Sequence, residues 1–113
     1  MRVSVHSLRR RNVLAAALLT FFFSSTALFA GPFRTVVIDA GHGGHDLGGH
    51  YGKVYEKHLA LDTAMRLENY LKASGYRTVM TRRSDTFISL GRRAQIGNSY
   101  RDSIFVSIHY NYT

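Results

Sequence analysis

The chain has 113 residues, with fifteen Lys and Arg, seven Asp and Glu, and no cysteine. One domain is the ceiling at this length, and the lack of cysteine excludes disulfides and thiolate metal sites, so only His and carboxylates remain to hold a metal. The formal charge of +8 does not point to nucleic acid, because no basic run carries interleaved aromatics.

The first residues hold much of that charge. Arg2, Arg9, Arg10 and Arg11 precede an apolar run from Val13 to Ala30, with no acid among them. A basic start, an apolar stretch and small residues before Gly31-Pro32 predict a secretory signal peptide over residues 1–30, with cleavage after Ala27 or Ala30. The competing reading is an uncleaved anchor helix, against which Thr20, Ser24, Ser25 and Thr26 interrupt the run. The expected location is therefore outside the cytoplasm, in the periplasm or in the extracellular space and cell wall, with membrane contact only through the export signal. Residues 31–113 keep eleven basic residues against seven acids, a dispersed surplus of four.

In chain order, Thr35 to Ile38 is a short β-branched run ending in Asp39-Ala40-Gly41, which predicts a buried strand. Residues 41–52 contain six glycines and three histidines, and are expected to be loop throughout. Glu56 to Ser74 has no Gly or Pro and repeats Ala60, Ala64, Leu67 and Leu71 at helical spacing, with Gly75 as the stop. Tyr76 to Thr81 is a second strand. Ser89 caps a second helix to about Asn98, with Leu90 and Ala94 on its inner face. Ser103 to His109 makes a third strand. Strands alternating with helices predict an α/β fold with a parallel sheet, and the two helices are few for a sheet that must be covered on both faces.

In such a sheet the carboxyl ends of the strands and the starts of the following helices share one edge, where ligands bind. His42 follows the first strand, Glu56 opens the first helix and His109 ends the third strand. Two imidazoles and a carboxylate with an open fourth position suit a catalytic zinc. His45, His50 and His58 compete for that role, although His58, two residues after Glu56, points elsewhere if Glu56 faces the site. The glycine-rich loop also suggests a phosphate cradle, but it matches neither the Walker pattern nor G-x-G-x-x-G.

At these residues the chain resembles the zinc-dependent N-acetylmuramoyl-L-alanine amidases of the amidase-3 type. Val36-Val37-Ile38-Asp39-Ala40-Gly41-His42-Gly43-Gly44, the Glu56-Lys57 pair, Thr81-Arg82 with Asp85, Leu90 and Arg93, and Ser107-Ile108-His109-Tyr110-Asn111 carry the likeness, in order, over residues 35–113. After the signal peptide expected over residues 1–30, the resemblance implies a truncated amidase catalytic domain (31–113), the C-terminal part of the domain being absent. It implies zinc bound by His42, Glu56 and His109, and cleavage of the amide between N-acetylmuramic acid and L-alanine in peptidoglycan. Asp39 and Asn111 are candidates to support the ligands from behind, and Arg82 and Arg93 are expected to pair with Asp85 or a helix C-terminus, or to meet an acidic stem peptide. The family's general acid/base glutamate is expected beyond Thr113, so no residue of the sequence is assigned that catalytic role. Peptidoglycan is the expected partner, an activator protein is unspecified, and nucleic acid is not expected. The alternatives are a non-catalytic zinc- or peptidoglycan-binding remnant, and another zinc peptidase of the cell wall. Gly97 before Asn98, Tyr110 and Tyr112 depart from the family pattern.

Overall fold

The structure, a computed structural model, describes residues 33–111, and the export signal predicted over residues 1–30 lies outside them. The elements are β1 (Thr35–Ala40), β2 (His50–Tyr51), β3 (Val54–Tyr55), α1 (Glu56–Ala73), β4 (Arg77–Met80), α2 (Leu90–Asn98) and β5 (Ser103–Ile108). β1 is the middle of a three-stranded sheet ordered β4-β1-β5, and both of its pairings are parallel. The alternating α/β fold read from the sequence is the fold observed.

Every residue of β1 is buried, as expected of a parallel strand with neighbours on both edges. Alternation sends Val36, Ile38 and Ala40 to one face. There they meet Ala64 of α1, with Leu61, Leu67, Leu71, Met80, Val106 and Ile108 packed around them. Ala60 and Ala64 are fully buried, and their small side chains let the helix lie close to the strand. The helix stops at a left-handed Gly75 (φ 88°). The Gly75 N–H donates to the Lys72 carbonyl and the Tyr76 N–H to the Leu71 carbonyl, each at 3.0 Å, which is the Schellman pattern that satisfies the last carbonyls of a helix.

The other face of the sheet carries Val37 and Asp39, flanked by Phe105 and Ser107 of β5, and α2 lies against it. Ser89 caps α2 as expected, its Oγ accepting the Arg92 N–H at 3.2 Å. Leu90 and Ala94 lie, as expected, on the face of α2 that lines the groove with Arg93 and the sheet, but they are not what that face buries. Leu90 is 85 % exposed and Ala94 is exposed as well, while Arg93 is the buried residue of the helix. The physical reason is the partner surface: the sheet offers α2 the Asp39 carboxylate, which an arginine satisfies and a leucine does not.

The glycine-rich segment is also more ordered than a loop. Gly43 and Asp46 exchange backbone hydrogen bonds of 2.9 and 3.1 Å, and β2 pairs antiparallel with β3. Two-residue strands are too short to leave a periodic signal. Among the described residues no helix is long and apolar enough to cross a membrane.

Glu68 of α1 is buried and ties the helix to β4 and the segment beyond it. It accepts from Arg83 Nη1 and Nη2 at 2.8 and 2.7 Å, from Thr78 Oγ1 at 3.0 Å and from Lys72 Nζ at 3.1 Å. The Arg83 fork, followed by Lys72 and Thr78, outweighs burial and lowers its pKa from 4.5 to about 2. A carboxyl depressed on folding contributes stability above its unfolded pKa and loses it as pH falls through the folded value. We therefore expect Glu68→Gln to weaken the fall in stability between pH 4.5 and about 2, measured by urea unfolding at steps of pH. Equal slopes for variant and wild type would refute the assignment.

Candidate metal centre

β1 exits into Gly41-His42-Gly43-Gly44, where φ is 60° at His42, 129° at Gly43 and 61° at Gly44. Glycine adopts such angles freely, whereas a left-handed histidine costs about 1–2 kcal/mol, so the surroundings of His42 must hold it there. The chain then turns through β2 and β3 into α1, which has no side-chain cap at Tyr55. The loop serves as the cap: the Glu56 N–H donates to the Gly49 carbonyl at 2.8 Å and the Lys57 N–H to the Leu47 carbonyl at 3.2 Å. Lys57 Nζ adds a bond to the Gly44 carbonyl at 2.9 Å and pairs with Asp85 at 2.6 Å. The loop carrying His42 is thus bolted to the helix start carrying Glu56.

β5 brings in His109 from the other side, since its neighbour in the sheet is β1. The three side chains meet. His42 Nε2 lies 3.1 Å from Glu56 Oε1, His109 Nδ1 lies 3.1 Å from His42 Nε2, and His109 Nδ1 lies 3.2 Å from Glu56 Oε1. The Glu56 side chain is 3 % exposed, against 20 % for His42 and 37 % for His109, so the cluster is buried on the Glu56 side and open on the His109 side.

This geometry suits a metal. An ion with bonds of about 2.0–2.2 Å to N and O ligands in a tetrahedron sets those ligands ~3.4 Å apart, close to the observed edges. Donor chemistry agrees. Both oxygens of Asp46 lie 3.0 Å from His42 Nδ1; an ionised carboxylate only accepts, so Nδ1 carries the proton and Nε2 turns its lone pair into the cluster. Burial raises the Glu56 pKa, but N–H groups of Gly49, Tyr110 and Asn111 and the neighbouring His42 outweigh it, and the value falls to about 2. Asp46 is likewise lowered, burial being outweighed by its bonds to His42 and the Gly48 N–H. Among the described residues, His42, Glu56 and His109 form a group that could hold a metal ion.

The remaining candidates lie elsewhere. His45 packs on Phe87, ring centroids 4.2 Å apart, and His50 and His58 flank Tyr55. Asn111 contributes its backbone, the N–H donating to Glu56 Oε1 at 3.3 Å. Asp39 is 3 % exposed and touches no side chain of the cluster. It accepts from Thr81 Oγ1 at 2.7 Å, Ser107 Oγ at 2.7 Å and Arg93 Nη1 at 2.6 Å, and these bonds lower its pKa despite burial. Arg93 therefore pairs with Asp39, and Asp85 pairs with Lys57; neither arginine takes the Asp85 partner expected for it. Sequence reasoning missed Asp46, whose only signal is an acid four residues after His42 in the same loop. A groove of about 760 Å³ opens beside the cluster, lined by His42, His109, Arg93, Phe87, Tyr100 and Phe105.

Comparison with known proteins gives the chain its relatives. The amidase-3 family profile, described as N-acetylmuramoyl-L-alanine amidase, matches residues 36–113. The chain is 45 % identical over 75 residues to N-acetylmuramoyl-L-alanine amidase AmiC of Neisseria meningitidis, covering 66 % of the chain and 18 % of AmiC. The catalytic domain of CwlV, an N-acetylmuramoyl-L-alanine amidase from Bacillus (Paenibacillus) polymyxa, superposes with a TM-score of 0.64 at 41 % identity, over 70 % of the chain and 46 % of CwlV. The CwlD amidase from Clostridioides difficile, solved in complex with the GerS lipoprotein, superposes with a TM-score of 0.67 at 28 % identity, over 71 % of the chain and 49 % of CwlD. The chain thus spans about a fifth of AmiC and just under half of each solved chain.

Two glycines seat the imidazoles. A Cβ on Gly41 would lie 2.7 Å from His109 Nδ1, and a Cβ on Gly48 would lie 2.8 Å from His42 Nε2. Gly41, unlike Gly48 (φ 67°), needs no left-handed backbone, so Gly41→Ala tests the seat alone. We expect it to weaken metal binding by about 10–100-fold, the range for disturbing a ligand's support, while the circular dichroism of the metal-free protein stays unchanged. Wild-type affinity in the variant would show that the ring is not seated on Gly41.

Proposed function

The chain belongs to the amidase-3 family of N-acetylmuramoyl-L-alanine amidases, and from that premise we propose that its protein hydrolyses the amide joining N-acetylmuramic acid to L-alanine in peptidoglycan, with zinc held by His42, Glu56 and His109. The observation that carries this reading is the triangle of Nε2, Oε1 and Nδ1 with edges of 3.1, 3.1 and 3.2 Å. A zinc ion bound there would supply a Lewis acid for the amide carbonyl and for water. The chain's own residues prepare the place. Asp46 holds His42 in the tautomer that directs Nε2 inward, three backbone N–H groups keep Glu56 ionised and aimed, and the groove gives an extended substrate a wall beside the cluster.

The described acids around the site are engaged in holding it together: Asp46 on His42, Asp39 on Arg93, Glu56 in the cluster. Proton transfer is assigned, on the family resemblance, to a glutamate C-terminal to the matched residues. The basic, apolar leader of residues 1–30 supports action outside the cytoplasm, where peptidoglycan is found.

The test is hydrolysis of purified peptidoglycan by the full-length protein. We expect released stem peptides with a free L-alanine amino terminus, loss of activity with a chelator and recovery with zinc. We also expect His109→Ala to lower the rate by more than about 100-fold, beyond the effect of losing an outer support. Cleavage inside the stem peptide would replace the amidase reading with a peptidase, and chelator-resistant activity would remove the metal from it.

A further inference from the structure

We propose that Arg82 and Arg93 are positioning residues for the cluster: two buried guanidinium groups that grip the backbone on either side of His42 and set its distance from Glu56. This inference rests on the metal reading proposed above.

Both arginines are almost fully buried, at 4 % and 6 % exposure, and neither touches a ligand side chain. They act on the main chain. Beyond Ile38 the pairing of β1 with β4 ends, its last carbonyl on that side accepting the Thr81 N–H at 3.0 Å. The next carbonyls therefore need donors from outside the sheet. Arg82 Nε donates to the Ala40 carbonyl at 2.9 Å and Arg82 Nη2 to the Gly41 carbonyl at 2.7 Å. Arg93 Nη1 donates to the Ala40 carbonyl and Arg93 Nη2 to the His42 carbonyl, each at 2.7 Å. Three consecutive carbonyls, ending at a ligand in a left-handed conformation, are held by planar forks rather than by a strand.

The same groups reach the other parts of the site. Arg82 Nη2 also donates to the Lys57 carbonyl at 2.8 Å, so one nitrogen joins the residue before His42 to the residue after Glu56. Arg93 is fixed in turn by Asp39 Oδ1 at 2.6 Å and by the Ile88 carbonyl at 2.9 Å, which refers His42 to the body of the sheet and to α2. A guanidinium offers five donors in a rigid plane, whereas an ammonium is a compact charge on a flexible stem. Lysine at either position would keep the charge and release the carbonyls.

The test uses Arg82→Lys and Arg93→Lys in the full-length protein, with cobalt as the probe. Chelator competition gives the affinity, the visible absorption bands of the bound cobalt give the coordination geometry, and thermal melting of the metal-free protein gives stability. Glu68→Gln serves as a control that weakens a buried ion network away from the cluster. We expect each folded lysine variant to bind cobalt about 10–100-fold more weakly with shifted bands, and the control to lose stability while keeping wild-type affinity and bands. One folded lysine variant suffices. Wild-type affinity and bands in that variant, an equal loss in the control, or failure of both lysine variants to fold would each overturn the inference. Wild-type protein that binds no cobalt would instead remove the metal reading beneath it.

Discussion

The site closes around one buried carboxylate. Glu56 stands at the first position of α1 with its side chain 3 % exposed, and a buried ion without partners costs several kcal/mol. Its partners come from both sides of the fold. Gly49, in the loop that follows β1, donates to Oε2 at 2.9 Å, and Tyr110, just past β5, donates to Oε1 at 2.8 Å. The segments that carry the two histidines are therefore the segments that satisfy the glutamate. Assembling the cluster and paying for the buried charge are one event, and a displaced β5 or a loosened loop would leave the carboxylate unsatisfied.

That arrangement depends on a sheet with unlike faces. Toward α1, β1 presents Val36, Ile38 and Ala40 to other apolar side chains, and burial of this kind is the main favourable contribution to folding. Toward α2 it presents Asp39, which binds Thr81, Ser107 and Arg93. The first face holds β1 in place without specifying what happens at its end. The second gives direction, because hydrogen-bonded ions tolerate few geometries. Stability and placement of the site are thus divided between the two sides of a six-residue strand.

This division also decides what the sequence reveals. The apolar face is periodic, so β1, α1 and β5 are legible from Val36 to Ile38, Ala60 to Leu71 and Ile104 to Ile108. His42, Glu56 and His109 are legible as neighbours because topology alone sends strand ends and helix starts to one edge. The polar face is not periodic. α2 uses its innermost position for Arg93, which composition alone would leave in solvent, while Leu90 and Ala94 lie on the same face and line the groove beside it. Arg93 meets Asp39 across 54 residues of sequence, and Arg82 binds carbonyls that carry no side-chain signal at all. Asp46 resembles an ordinary turn acid until the His42 ring is seen beside it.

The distribution of charge supports the metal reading from a direction independent of the triangle. Among the described residues, Lys and Arg side chains form ion pairs with Asp39, Asp62, Glu68 and Asp85. Glu56 and Asp46 pair with histidines alone. Arg93 is the buried cation whose charge reaches Asp46, but its donors are taken by Asp39 and by backbone carbonyls. Glu56 and Asp46 thus bring two carboxylates to opposite nitrogens of the His42 ring. A divalent cation held by His42, Glu56 and His109 would lie against that negative charge, so the charges and the contacts both favour the metal reading.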